Sequence, residues 1–253
     1  MMKRILIVVL IVLLAGGAGY LYLSRNEISF SRDSSLYKAV PVTAPFFLEF
    51  NSLKSVPTKN PVLYELEKAG IWKNFFSFSQ NIDSLIQITE GLPSSLRDTR
   101  FLLSIGFSGR NDLVPLLVVK AESNNRIIVF KNLLNTVYPS ATFSYQSKEY
   151  GNNTITEIVN ATGETSVFYS FAEELLLISS KSLLVEQAIR QLPTRGILKS
   201  NYFQEVISTP NLQSGVSFFV NHKHFPVFAG QFLNGSTHLK VDEFGETRRV
   251  NVR

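Results

Sequence analysis

The residues best suited to chemistry are three histidines close to the C-terminus: His222, His224 and His238. Residues two apart on a strand point to the same side, so His222-Lys223-His224 places two imidazoles on one face of an extended segment. A metal site needs a third ligand, for which Glu205 or Asp242 is the candidate. Lys223 between the two imidazoles opposes a cation, and solvent-exposed histidines at a strand end are the simpler expectation. Cysteine is absent, which removes thiolate ligands, thiol nucleophiles and disulfides together. Nucleophilic catalysis would then fall to Ser or Thr beside a base. The one suggestive string, Gly106-Phe107-Ser108-Gly109, is not a nucleophile elbow and falls in a hairpin turn.

Acid–base catalysis needs carboxylates that converge on one pocket. The adjacent pairs Glu173-Glu174 and Asp242-Glu243 would point to opposite faces of a strand, so solvated turns suit them better. No glycine-rich phosphate loop precedes a helix. Arg248, Arg249 and Arg253 could touch an anionic lipid, but interspersed acids cancel most of their charge. Trp72 with Phe75, Phe76 and Phe78 suits an exposed docking patch, a ligand groove between the two early helices, or core packing, and packing is the expectation. Asn152, Asn160 and Asn234 head N-x-Ser/Thr sequons, which matter only in a host that glycosylates exported proteins. The sequence therefore predicts no catalytic, cofactor-binding or metal-ligating residue and no cofactor.

What must position any site begins with Ile5 to Leu23, 19 residues without a charge, preceded by Met1-Met2-Lys3-Arg4. At 1.5 Å rise per residue this run spans roughly 28 Å as a helix, close to the hydrocarbon thickness of a bilayer. Ala15-Gly16-Gly17-Ala18-Gly19 supplies the small residues a signal-peptide cleavage site uses. Against cleavage, the apolar run resumes as Tyr20-Leu21-Tyr22-Leu23, with tyrosines where an interfacial aromatic belt belongs. The sequence thus predicts an uncleaved transmembrane signal-anchor over 5–23, with residues 1–4 cytoplasmic and the bulk of the chain extracytoplasmic, in the periplasm of a cell with an inner membrane. Ala15 and Gly19 form a small-xxx-small pair, which a lone helix also tolerates.

Net charge is +5, and without Lys3 and Arg4 the remainder holds 23 basic against 20 acidic residues, too mild a balance to imply nucleic acid. The 20 Phe and 9 Tyr are spread along the chain, enough for a packed core stabilised without disulfides.

The order of elements suggests an α+β fold: an antiparallel, meander-rich sheet covered by amphipathic helices. Residues 24–38 are polar and read as a tether, and 39–233 as the extracytoplasmic domain. Phe46, Leu48 and Phe50 share one face of a first strand that ends near Asn51. Asn60-Pro61 starts a helix that Gly70 ends, and a second helical region from Ile71 stops at Pro93. Residues 101–107 and 113–120 form a hairpin, with Pro115 suiting an edge or bulge position. Asn124 caps a helix to Tyr138, four strands follow between Thr142 and Ser179, and Ser180 caps a helix to Leu192. A short helix covers Asn201 to Ile207, and residues 216–220 form a strand. That strand echoes the first one, which suggests a second repeat starting near 215. The chain stops soon after it, so a longer parent protein is implied, and 234–253 reads as a loose tail.

The basic start, the single anchor ending in Gly and Tyr, the Ala39-Val40-Pro41 entry into a Phe-rich strand and Trp72 together resemble a family of bacterial exported proteins known as domain of unknown function number 3352. The resemblance is one of layout over residues 1–233. It implies a longer extracytoplasmic protein and no particular activity. The expected function is a non-enzymatic envelope interaction or scaffold module, with the membrane and an envelope protein as partners and no nucleic acid. The alternatives are an envelope hydrolase whose active residues lie outside this chain, and a binder of an apolar or lipidic ligand.

Overall fold

The computed structural model describes residues 34–50, 52, 96, 99–109, 112–208 and 216–230. The expected anchor, the helices between Asn60 and Pro93, the aromatic group at Trp72 to Phe78, and the tail lie outside the described residues. Among the described residues no helix is long and apolar enough to cross a membrane.

The strands are β1 (Phe46–Phe50), β2 (Phe101–Phe107), β3 (Leu113–Lys120), β4 (Phe143–Tyr150), β5 (Asn153–Asn160), β6 (Thr165–Ala172), β7 (Leu175–Ser179) and β8 (Val216–Val220). The helices are α1 (Ser35–Lys38), α2 (Asn124–Val137), α3 (Ser182–Thr194), α4 (Asn201–Ser208) and α5 (Phe225–Gly230), with a 3-10 turn at Gly196–Lys199. The strands make one eight-stranded sheet in the order β4-β5-β6-β7-β3-β2-β1-β8. Every neighbouring pair is antiparallel, and the expected hairpin β2–β3 and meander β4 to β7 are both present.

Helices pack on both faces of this sheet. On one face α1, α3, the 3-10 turn and α4 meet Phe47, Leu102, Val114, Leu116, Val118 and Leu177. On the other, Phe130, Leu133 and Leu134 of α2 meet Leu117, Val119, Leu176 and Ile178, and Phe225 and Phe228 of α5 pack near Phe46 and Ile105. A strand covered on both sides needs apolar residues at every position, which is why β3 reads as a continuous run buried as far as Val119. The inward stripe of α3, Leu184, Val185, Ala188, Ile189 and Leu192, is buried as its period requires. Each such side chain contributes about 1.5–3 kcal/mol for the larger residues.

Two close approaches depend on glycine. A Cβ on Gly106 would meet Leu184 Cδ1 at 2.3 Å, so the missing side chain lets α3 settle onto β2. Gly196 has φ +49°, and a Cβ there would lie 2.4 Å from the Lys38 carbonyl oxygen and 2.6 Å from that of Val40.

Several expectations are corrected. Pro115 sits in a central strand, between β2 and β7, and not at an edge. Its carbonyl accepts from Ser179 Oγ at 2.7 Å, so its backbone faces β7, whose pairing with β3 begins one residue on at Leu116↔Ser179. The missing N–H therefore costs no ladder bond, which is the reason a central strand tolerates it. Ser123, not Asn124, caps α2, accepting from Arg126 N at 3.3 Å. Lys181 occupies the N-cap of α3 without a side-chain bond, so Ser180 is not its cap. Glu186 of α3 pairs with Lys148 of β4 at 2.7 Å. The tether ends sooner than residue 38, because Leu36 and Tyr37 of α1 are fully buried. β8 pairs directly with β1, so the strand that echoes the first extends the same sheet.

Candidate functional site

The described fold draws together one buried ionic cluster. Tyr37 comes from α1, Glu49 from β1, and Arg100 from the residue just before β2. Side chains alternate along β1, so Phe46, Leu48 and Phe50 face α5 and α2 while Phe47 and Glu49 face α1. Glu49 is 1 % exposed, yet it is an acid. The Tyr37 hydroxyl donates to Glu49 Oε2 at 2.7 Å, and the Arg100 guanidinium donates to Oε1.

Taking a carboxylate out of water costs several kcal/mol, and charge-assisted hydrogen bonds offset part of it. The Arg100 side chain is partly exposed and its Nε is buried without a partner, so the pair does not satisfy every donor. Rings close the α1 side of the cluster: Tyr37 meets Phe203 edge-on at 5.1 Å, and Phe47 stacks on Phe219 at 4.8 Å. Such pairs contribute about 0.5–1.5 kcal/mol beyond their burial. The cluster thus ties α1 and α4 to β1 and β8. Both oxygens of this enclosed carboxylate are engaged, one by Tyr37 and one by Arg100. No motif or spacing in the sequence marks these three residues, and the signal for them is a lone acid inside Phe46-Phe47-Leu48-Glu49-Phe50.

The sequence-predicted chemistry is dispersed. His222 and His224 lie in the turn between β8 and α5, not on a strand face. His222 is exposed, while burial, with Lys223 beside it, holds the half-buried His224 imidazole below its ordinary range. Glu205 is on α4, and His238 and Asp242 lie outside the described residues. Among the described residues no group of three His, Cys, Asp or Glu side chains could hold a metal. Ser108 donates to the Asp112 carboxylate within the β2–β3 turn, and its N–H donates to the Asp112 carbonyl at 2.9 Å. Glu173 and Glu174 form the β6–β7 turn, with Glu173 3.8 Å from Lys38 Nζ and the Glu174 carbonyl accepting from Ala121 N at 2.7 Å. Asn152 is exposed at the β4–β5 turn, while Asn160 uses its side chain to accept from Thr162 N and Glu164 N.

A second feature lies on the surface where α1, the 3-10 turn and α4 join. Gly196 presses on the carbonyls of Lys38 and Val40, Ile197 N donates to Val40 O at 3.1 Å, and Gln204 Nε2 donates to Leu198 O at 2.7 Å. Arg195 precedes that glycine with φ +65°, Lys199 ends the 3-10 turn, and Arg190 lies five residues before Arg195 on α3. All three side chains are exposed, and none forms an ion pair among the described residues. Tyr202 and Val206, one turn apart on α4, are 83 % and 52 % exposed.

No family model matches the chain, and neither the curated proteins nor the solved structures searched contain a match to it.

Proposed function

We propose that this chain is a membrane-anchored extracytoplasmic module that acts by binding an envelope protein, without catalysing a reaction. The observation that carries the reading is the uncharged run Ile5–Leu23 behind Lys3 and Arg4, long enough to span a bilayer and oriented by its basic start. The layout shared with the bacterial exported family number 3352 supports the same address and adds no activity. The enclosed Tyr37–Glu49–Arg100 cluster supports a role as a rigid module, since its polar groups serve packing. β8 offers a contact surface. It carries no charged side chain, stands at the end of the described sheet, and leaves Phe218 59 % exposed. An uncharged strand with an exposed, projecting aromatic suits contact with a partner protein.

The test is photocrosslinking in intact cells from position 218. The reading expects an adduct with one defined envelope protein, and no such adduct from Gln146 on β4. Equal, diffuse labelling from both positions would refute the interaction role. Protease added outside the inner membrane should remove the folded domain and spare the N-terminus; protection of the domain would reverse the topology.

A further inference from the structure

The geometry points to the corner formed by α1, the 3-10 turn and α4 as a surface that rests on anionic headgroups of the anchoring bilayer, with Arg190, Arg195 and Lys199 as headgroup contacts and Tyr202 and Val206 at the interface. This inference rests on the anchor reading under Proposed function and deepens it by naming a second partner, the lipid surface itself.

Distance argues for this corner. Residues 24–34 separate the end of the apolar run from α1. An 11-residue polar chain has a root-mean-square span of roughly 16–20 Å and a maximum of about 40 Å. α1 is therefore held on average about two nanometres, and at most about four, from the end of the apolar run, and whatever packs against α1 is held near it too. The contacts of Gly196 and Ile197 with the α1 end fix Arg195 and Lys199 at this site, and Gln204 fixes α4 beside them. By contrast β4 is four strands from β3 in the sheet, roughly 19 Å away at the usual strand spacing.

Charge argues for it as well. Among the described residues Lys38, Lys120, Lys148 and Arg100 are each matched to a carboxylate, whereas Arg190, Arg195 and Lys199, like Arg126, Lys181 and Lys223 elsewhere, form no ion pair. Glu173 is engaged with Lys38, and Glu205 lies on α4. Glu186, which could have neutralised Arg190, is held by Lys148. A cation close to an anionic leaflet favours the bound state by about five-fold, and only within a Debye length of roughly 8 Å. A tyrosine and an apolar side chain flanked by cations suit the interfacial zone, where an amphipathic ring sits between water and acyl chains.

The chain contains no cysteine, so the full-length protein carrying Tyr202→Cys can be labelled at one place with an environment-sensitive fluorophore. The labelled protein is reconstituted into phosphatidylcholine vesicles with or without phosphatidylglycerol. The expected result is a blue-shifted emission quenched by brominated lipid in the anionic vesicles and weakened in the neutral ones. Adding Arg190→Glu and Lys199→Glu should lower lipid contact at least about 25-fold, five-fold for each charge. Arg195→Gly should lower it about five-fold while easing the left-handed backbone, which guards against misfolding. A label at Gln146→Cys should not respond. Equal quenching in both vesicle types, or indifference to the charge changes, would overturn the inference and leave the anchor intact. Failure of the protein to float with vesicles after a carbonate wash would overturn the anchor reading and this inference with it.

Discussion

Replacing Glu49 by Gln keeps the shape of the side chain and removes its charge. Arg100 then loses its counter-ion, and the Tyr37 hydroxyl donates to a neutral oxygen. Removing one partner of a buried pair costs about 3–5 kcal/mol, and the partial exposure of Arg100 lets water soften that to about 2–4 kcal/mol. For a folded part of roughly 200 residues each kcal/mol moves the melting temperature by about 2–4 °C, so Glu49→Gln should lower it by about 5–15 °C. Removing both charges as Glu49→Gln with Arg100→Met should recover part of the loss, because no unpaired charge remains. Tyr37→Phe should cost about 1.5–3 kcal/mol, and its effect should be smaller in the Glu49→Gln background, as expected for groups in contact. Thermal unfolding of the full chain in mild detergent, followed by tyrosine near-UV circular dichroism, reads all four variants. A loss below about 0.5 kcal/mol for Glu49→Gln, or strict additivity with Tyr37→Phe, would refute the view that this cluster ties α1 to the sheet.

Gly106→Ala should destabilise by about 1–3 kcal/mol through overpacking against Leu184, and Leu184→Ala should lose less in that background than alone; independent losses in urea unfolding would contradict this. Gly196→Ala should cost at least as much, since its φ is positive and the obstructing atoms are backbone oxygens that cannot rotate away. The Tyr138, Tyr145 and Tyr169 hydroxyls are pushed up from their ordinary range, in each case chiefly by burial. Their contribution to stability is therefore full below about pH 10 and lost as pH rises through the higher folded values, so a urea titration should find the alkaline decline beginning near pH 10. His224 is shifted the other way, so its contribution is full above about pH 6.5 and lost as pH falls through the lower folded value; His224→Gln should flatten that part of the acid limb.

Local patterns made much of the sheet readable. Alternation with turn residues marked the meander from β4 to β7, and the apolar stripe of Leu184 to Leu192 marked α3. What the pattern hid were contacts set by tertiary packing. Pro115 reads as an edge residue because the local rule cannot know that β7 ends beside it. Ser34 to Lys38 reads as linker because a single helical turn has no period, and only the aromatic surface of Phe47, Phe203 and Phe219 explains why Tyr37 is buried. Glu49 and Arg100 are 51 residues apart, and no spacing rule joins them. The histidines misled in the opposite sense: their spacing suits a strand face, but β8 ends at Val220 and leaves them in a turn.

The account depends most on residues 5–23 staying in the membrane and holding the sheet outside. Carbonate extraction of membranes from cells making the full chain, followed by intact-mass measurement, tests that directly. The account predicts an unprocessed polypeptide of 28.4 kDa retained in the membrane pellet. Full-length protein released into the supernatant, or a mature chain lacking its first residues, would contradict it.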